Sequence, residues 1–310
     1  MIDFQSQTVV VTGAGRGLGR LFALDFARRG AAVVVNDFGG ASNGGGAADR
    51  HVADAVVEEI VQAGGVALAS YDSVATPEGG EAIIRTAVER FGRLDAVISN
   101  AGIFNTAAFE DITLDQWRRM LNVHLDGAFF LSQPAYKVMK AQGYGRLVFM
   151  TSSAGCFGEP NTAHYGAAKG GIVGLSNIIA FEGAAHGILS NCVLPYGLSR
   201  MIFDTLGGEE NARAFPFTAA LDPAKVVPMV VFLASRACTC THQNYSAAIG
   251  RYARVFMGVG DGWLSPQDQV ISADDIAAHF EEASAVEPFY VPSSGLDEMA
   301  QLCRLRGIKI

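Results

Sequence analysis

A tyrosine can carry a proton near neutral pH only if something lowers its pKa from about 10. In Tyr165-Gly166-Ala167-Ala168-Lys169 a lysine stands four residues on. On a helix that is one turn later and on the same face, where an ammonium group could stabilise the phenolate. Ser152 precedes Tyr165 by thirteen residues, and its hydroxyl could hold a carbonyl or carbinol oxygen beside the phenol. These side chains suit acid–base chemistry on a secondary alcohol or ketone. Tyr-x-x-x-Lys also arises by chance, so its meaning depends on the elements that place it.

Those elements begin near the N-terminus. An apolar run, Thr8 to Val11, leads into Thr12-Gly13-Ala14-Gly15-Arg16-Gly17-Leu18-Gly19 and then an amphipathic stretch closed by Gly30. This reads as strand, glycine turn, helix. Glycines let the backbone approach a pyrophosphate, and the helix N-terminus offers unpaired N–H groups. A second apolar run, Ala32 to Val35, ends in Asn36-Asp37, 18 residues after Gly19. A carboxylate at that point can accept the hydroxyls of an adenosine ribose.

Strands are expected near 8–12, 32–36, 66–70, 94–99, 145–151, 188–194 and 253–258. Helices are expected near 18–29, 49–63, 80–91, 115–141, 163–185 and 223–235. The alternation predicts an α/β fold: a single doubly wound Rossmann domain with a seven-stranded parallel sheet flanked by helices. Ligands of such sheets sit at the carboxyl ends of the strands, where the glycine loop, Asp37, Asn100 and Ser152 all fall. The expected domain is 1–264, followed by a C-terminal extension over 265–310. Within that extension, 271–283 and 296–305 could be helical, with an extended 287–292. The mixed loop 203–221 could cover a substrate.

The 310 residues are 50% hydrophobic and 17% charged, which suits one well-buried α/β domain. The 36 glycines show no period, so repeat and collagen-like readings fail. A net charge of −8 argues against nucleic acid as a partner. There is no apolar stretch long enough to span a membrane and no signal-peptide pattern. The ending Ile308-Lys309-Ile310 differs from the peroxisomal tripeptide, so the expected location is cytoplasmic. An odd number of cysteines, five, suggests reduced thiols. Cys238-Thr239-Cys240-Thr241-His242 invites a metal reading, but no second ligand cluster completes a site and the cysteines are unusually close for zinc. No metal is expected. Cys156 and Cys192 read as core residues.

The chain resembles the short-chain dehydrogenase/reductase family over roughly residues 5 to 264. Its glycine pattern falls on Thr12 to Gly19, its Asn-Asn-Ala-Gly element on Ser99-Asn100-Ala101-Gly102, and its serine, tyrosine and lysine on Ser152, Tyr165 and Lys169. The resemblance implies Tyr165 as general acid/base, Lys169 lowering the phenol pKa and bonding the nicotinamide ribose, and Ser152 positioning the substrate oxygen. Ser153 is the adjacent alternative, but the spacing and Gly155 favour Ser152. The resemblance also places Asn100, Ala101 and Gly102 near the adenosine ribose and Asp72-Ser73 at the adenine edge. Pro195 and Gly197 stand where relatives have a Pro-Gly turn, interrupted here by Tyr196. A helical asparagine usual in the family is replaced by His124, with Asn122 on another face. His124 could keep a proton relay or be structural. Asp37 favours NAD, whereas Arg16 occupies a position that is often basic in NADP-using relatives. Asp37 meets a 2′-phosphate directly, so NAD is the expected cofactor.

A closer resemblance rests on Val34 to Gly40, Ala69 to Val74, Val123 to Gly127, Pro195 to Met201 and Gly258 to Trp263. These are similar to the dehydrogenase units of type 2 peroxisomal multifunctional enzymes. That likeness implies NAD-dependent oxidation of a (3R)-3-hydroxyacyl-CoA with a fatty or sterol side chain. It leaves open a hydroxysteroid or terpenoid alcohol, reduction of a 3-oxoacyl thioester, and a non-catalytic dinucleotide sensor. Phe203, Leu206, Phe215 and Phe217 permit an apolar substrate, and Arg200, Arg251 and Arg254 are candidate CoA contacts. Relatives pair through the two long helices, so a homodimer or homotetramer is expected.

Overall fold

The structure, a computed structural model, describes residues 1–46, 48–197, 203, 208, 210–211, 214 and 218–309. Arg200, Leu206, Phe215, Phe217 and most of the 203–221 loop lie outside the described residues. The chain divides into two compact units, residues 1–254 and 255–310.

The larger unit is built on strands β1 (Thr8–Thr12), β2 (Ala32–Asn36), β3 (Val66–Ser70), β4 (Ala96–Ser99), β5 (Gly145–Met150), β6 (Ile188–Tyr196), β7 (Gln243–Ala248) and β8 (Arg251–Val255). Their order across the sheet is β3-β2-β1-β4-β5-β6-β7-β8. Pairing is parallel from β3 through β7. Helices are α1 (Gly17–Arg28), α2 (His51–Gln62), α3 (Pro77–Phe91), α4 (Leu114–Leu121), α5 (Gly127–Gln142), α6 (Ser153–Phe157), α7 (Ala163–Gly183) and α8 (Val227–Ala234).

The central strands are apolar on both faces because helices cover both. Val9, Val11, Val33 and Val35 point into one core with Phe22 and Phe26 of α1, Ile60 of α2 and Val230 of α8. Val10 and Val34 point into the other with Ile83 of α3, Leu131 and Met139 of α5 and Ile172 of α7. Successive strand residues face opposite sides, so one β-branched run serves both cores. Burying a side chain such as Phe22 contributes on the order of 2–3 kcal/mol.

Among the described residues the sheet has eight strands rather than the seven expected, and the seventh is displaced. The segment expected at 253–258 is preceded by β7, whose residues are mostly half-buried and carry no apolar run. Ile249 and Gly250, at φ 55 and 81°, link β7 to β8. A two-residue link with both φ values positive makes a hairpin, so β8 runs back antiparallel at the edge.

The helix expected over 115–141 is also interrupted. Between α4 and α5, residues Asn122–Asp126 form a π-turn. One extra residue in the turn offsets the two helices and brings His124 inward, where it is buried.

The smaller unit pairs β9 (Val259–Gly260) antiparallel with β10 (Phe289–Tyr290). Its helices are α9 (Ala273–Ala278), α10 (Phe280–Ala283) and α11 (Gly295–Leu305). Trp263 stacks on His279, with ring centroids 4.1 Å apart. None of its described residues is fully buried, as expected of so few residues around so little apolar interior. Among the described residues no helix is long and apolar enough to cross a membrane.

Candidate functional site

The strand order reverses between β1 and β4, and the crevice at the carboxyl ends of the strands opens there. A cavity of about 1170 Å³ occupies it, lined by Gly13, Arg16, Gly17, Leu18, Gly19, Asp37, Asp72, Ser73, Asn100, Ala101, Gly102, Ser152, Tyr165, Pro195 and Gly197. Every residue expected to contact a cofactor is on this wall except Lys169, which is buried behind it.

At Gly13, Gly15 and Gly19 the glycine loop is packed too tightly for a side chain. A Cβ on Gly19 would lie 2.0 Å from the Gly13 carbonyl oxygen, and one on Gly13 would lie 2.8 Å from Ala101 Cα. Asn100 fixes the loop from β4: its Nδ2 donates to the carbonyls of Thr12 at 2.9 Å and Gly13 at 3.2 Å. Arg16, at the N-cap of α1, makes no side-chain cap. The first N–H groups of that helix, from Gly17 to Gly19, therefore remain available to an anion in the cavity.

Asp37 follows β2 with both carboxylate oxygens engaged. Gly15 N–H donates to one at 2.8 Å and Gly39 N–H to the other at 2.7 Å. The buried Asn36 amide ties β2 to β3 by donating to the Asp72 carbonyl at 3.0 Å and to Ser70 Oγ at 3.1 Å. Asp72 and Ser73 are thereby held at the same end of the sheet.

Ser152 follows β5 by two residues and caps α6, its Oγ accepting from Ala154 N–H at 3.2 Å. Ser153 does not line the cavity. Gly155 lets α6 meet α7 closely, since a Cβ there would lie 2.6 Å from Gly170 N and 2.7 Å from Lys169 C. Thr151 Oγ1 donates to the Lys169 carbonyl at 2.8 Å, and Lys169 Nζ donates to the Met150 carbonyl at 2.7 Å. Lys169 Nζ is 5.6 Å from the Tyr165 ring centroid. The phenol ring is flanked edge-on by Phe104 at 4.9 Å and His124 at 5.3 Å.

Burial dominates the electrostatics. It pushes Tyr165 up to about 12, against a lowering hydrogen bond with Ser152. It brings Lys169 down to about 7. Burial favours neither charged form alone, and the phenol pKa is not depressed as the spacing of Tyr165 and Lys169 suggests. His124 is held well below the usual imidazole range by burial and then by Lys169. Its Nε2 lies 2.7 Å from the Ile103 carbonyl and 3.2 Å from the Ile103 N–H, and it bonds one or the other according to which ring nitrogen carries the proton. Nδ1 is buried and meets no protein partner among the described residues. His124 thus links the π-turn to the loop after β4. Asn122 lines the cavity instead.

Other expectations shift. Tyr196 extends β6 rather than interrupting it, with Pro195 opposite Ala247 and Tyr196 opposite Ala248. Arg251 and Arg254 sit on the edge strand β8, away from the cavity. Arg118 and Arg119 of α4 line it instead, and the loop after Asp37 reaches them. A Cβ on Gly44 would lie 3.1 Å from Arg119 Cδ, and Phe104 N–H donates to the Ser42 carbonyl at 2.8 Å. Their only signal in the sequence was two adjacent cations on the polar face of a helix.

Residues 7–207 match the short chain dehydrogenase family model. A short-chain type dehydrogenase/reductase of Mycobacterium tuberculosis is 41% identical over 91% of this chain and 95% of its own length. The peroxisomal hydratase-dehydrogenase-epimerase of Saccharomyces cerevisiae is 41% identical over 88% of this chain, which spans 29% of that enzyme. The full-length peroxisomal multifunctional enzyme type 2 of Drosophila melanogaster superposes with a TM-score of 0.79 at 28% identity, over 98% of this chain and 50% of that one.

Proposed function

The chain belongs to the short-chain dehydrogenase/reductase family, an oxidoreductase acting on CH–OH groups, and from that premise we propose that it is an NAD-dependent dehydrogenase of (3R)-3-hydroxyacyl-CoA. The family binds NAD(H) or NADP(H). Bound in the cavity, the nicotinamide dinucleotide supplies the hydride acceptor or donor. The bare glycine loop and the uncapped start of α1 suit its pyrophosphate.

The observation that carries the choice of NAD is Asp37. Its carboxylate is held at the end of β2 by Gly15 and Gly39 and faces the cavity. There it accepts ribose hydroxyls and repels a 2′-phosphate. Replacing it should remove that discrimination. Asp37→Ser is expected to weaken NAD about ten- to a hundredfold, the loss of hydrogen bonds to a charged group, while NADP use rises. Steady-state KM values for both cofactors check this. Equal use of NADP by the unaltered protein would count against NAD.

Ser152 Oγ orients the substrate oxygen, and Tyr165 Oη takes the alcohol proton during oxidation or returns it during reduction. Lys169, one turn further along α7, carries the compensating charge. Burial penalises phenolate and ammonium separately, so the competent state is the pair. Phe104 and His124 fix the phenol ring, and Ile103, Phe104, Val123 and Leu221 give the cavity an apolar lining. Arg16, Arg118 and Arg119 give it cations for phosphate groups.

The thioester assignment is supported by the similarity to peroxisomal multifunctional and hydratase-dehydrogenase-epimerase enzymes. A second reading has its own support. A 3-oxoacyl-[acyl-carrier-protein] reductase of Synechocystis is 33% identical over 76% of this chain. NADH formation from NAD and a (3R)-3-hydroxyacyl-CoA, with a 17β-hydroxysteroid in parallel, tests the proposal. Thioester turnover is expected. Turnover of the steroid alone, or of 3-oxoacyl-carrier thioesters with NADPH alone, would discard it. Pairing of copies into a homodimer or homotetramer belongs to the same reading. It is supported by the groove between α5 and α7, where Phe129 and Ile178 are exposed.

A further inference from the structure

Two of the five cysteines stand together at the opposite end of the sheet from the cavity. Cys238 and Cys240 follow α8 in an irregular segment that leads into β7, with their sulfurs 3.5 Å apart. Cys238 is buried and Cys240 is half-exposed. The segment is anchored around them. Asn191 Nδ2 donates to the Cys240 carbonyl at 2.8 Å, Arg146 reaches the Cys238 carbonyl at 3.4 Å, and His242 N–H donates to the Ser190 carbonyl at 2.9 Å. Asn191 and Ser190 lie in the first half of β6, whereas Pro195 and Gly197 at its far end line the cavity. Proton transfer at Tyr165 involves neither thiol.

From this geometry we propose that Cys238 and Cys240 form a redox-active dithiol that reduces a hydroperoxide and closes to a disulfide. The half-exposed Cys240 is the attacking sulfur and the buried Cys238 the resolving one. The Cys238 sulfur lies 3.5 Å from the Cys240 sulfur and 3.4 Å from the Cys240 carbonyl, and the Tyr245 hydroxyl lies 3.6 Å from the Cys240 sulfur. These contacts, that with Cys238 first, lower the Cys240 thiol pKa against the opposing effect of burial, with the Arg254 cation adding to them. Burial raises the Cys192 thiol instead, whereas Cys156, expected in the core, is exposed, and its partial desolvation raises its thiol too. A thiolate partly open to solvent beside a second thiol is the arrangement that favours oxidation to a disulfide.

The step balances. Cys240 thiolate attacks the terminal peroxide oxygen, the O–O bond breaks, and the leaving alkoxide takes a proton to become an alcohol. Cys240 is then a sulfenic acid. Cys238 sulfur attacks Cys240 sulfur, the S–O bond breaks, and hydroxide leaves with the Cys238 proton as water. The dithiol loses two electrons and two protons, and the hydroperoxide becomes an alcohol and water. Closure draws the sulfurs together by roughly 1.5 Å, to the S–S bond length. Ladder pairing with β6 begins only at Gln243, and before it the segment is held by single bonds such as those from Asn191 and to Ser190.

The test treats the full chain with tert-butyl hydroperoxide, then maps thiols and cross-linked peptides under non-reducing conditions. The expected result is loss of two thiols per chain, a single peptide holding Cys238 joined to Cys240, and release by dithiothreitol. Cys238→Ser should instead accumulate a sulfenic acid at Cys240 that a cyclic 1,3-dione traps. Tyr245→Phe should slow Cys240 oxidation severalfold. Cys238 and Cys240 both remaining alkylatable at a peroxide concentration that oxidises Cys156 would overturn the proposal, and this reading uses only the unaltered protein. Trapped sulfenic acid at Cys240 in the unaltered protein, with no disulfide, would overturn it equally.

Discussion

Tyr165→Phe is expected to lower kcat about a hundred- to ten-thousandfold while leaving dinucleotide affinity within a few-fold of its original value. The magnitude is that of removing a positioned general acid/base. The substitution deletes one oxygen from a ring held edge-on by Phe104 and His124, so the packing survives. Steady-state kinetics combined with cofactor titration by fluorescence separates the two effects. Retained turnover would remove Tyr165 from the chemistry. Lost cofactor binding would make the tyrosine part of the binding surface instead. The acid limb of the pH–rate profile should vanish with it, because that limb belongs to the coupled Tyr165–Lys169 pair.

Lys169→Met should separate function from stability in opposite directions. Turnover is expected to fall at least a hundredfold because the phenolate loses its partner charge. The folded protein should nevertheless become more stable at neutral pH, by about 1–3 kcal/mol, since an apolar chain of similar volume replaces a buried amine. The sign follows from the amine's own titration. Burial lowers its pKa from 10.5 to about 7, so between those values the unfolded chain holds a proton that the folded chain has released. The cost of Lys169 is therefore complete below about pH 7, falls as pH rises, and disappears near pH 10.5. The stability difference between the two proteins should shrink over the same range. Urea denaturation at several pH values reads it directly, and a variant less stable than its parent at pH 7 would contradict the argument. The loss of one bond to the Met150 carbonyl sets the lower end of the expected gain.

Much of this site is legible in the residues alone, and the failures share a cause. β1, β2 and β5 announce themselves because both of their faces are buried, which makes them continuous apolar runs. β7 does not, because Gln243-Asn244-Tyr245-Ser246 is half-buried and the more apolar segment after Tyr252 competes with it. The glycine loop, Asp37, Ser152 and Tyr165 are legible because each sits at a strand end or helix start, where local pattern and location coincide. Arg118 and Arg119 are not. On α4 they look like any solvated pair, and only a loop arriving from β2, some 75 residues earlier, makes their surroundings a cavity wall. The same holds for Lys169. Its spacing from Tyr165 is local, but its protonation is governed by the depth of β5 and α7, which no four-residue motif contains.

The π-turn at Asn122–Asp126 carries one consequence for how this cavity is dimensioned. It stores a single residue of slack in an otherwise continuous rod from Leu114 to Gln142. Each residue of an α-helix turns the chain by about 100°. A version of the rod one residue shorter at that point would keep α5 seated in its core and swing α4 by about that angle. Arg118 and Arg119 would then point elsewhere, and the imidazole that braces the phenol would leave its place. The width of the cavity and the charge on its far wall are thus both set by a count of residues, as a gear is set by its teeth.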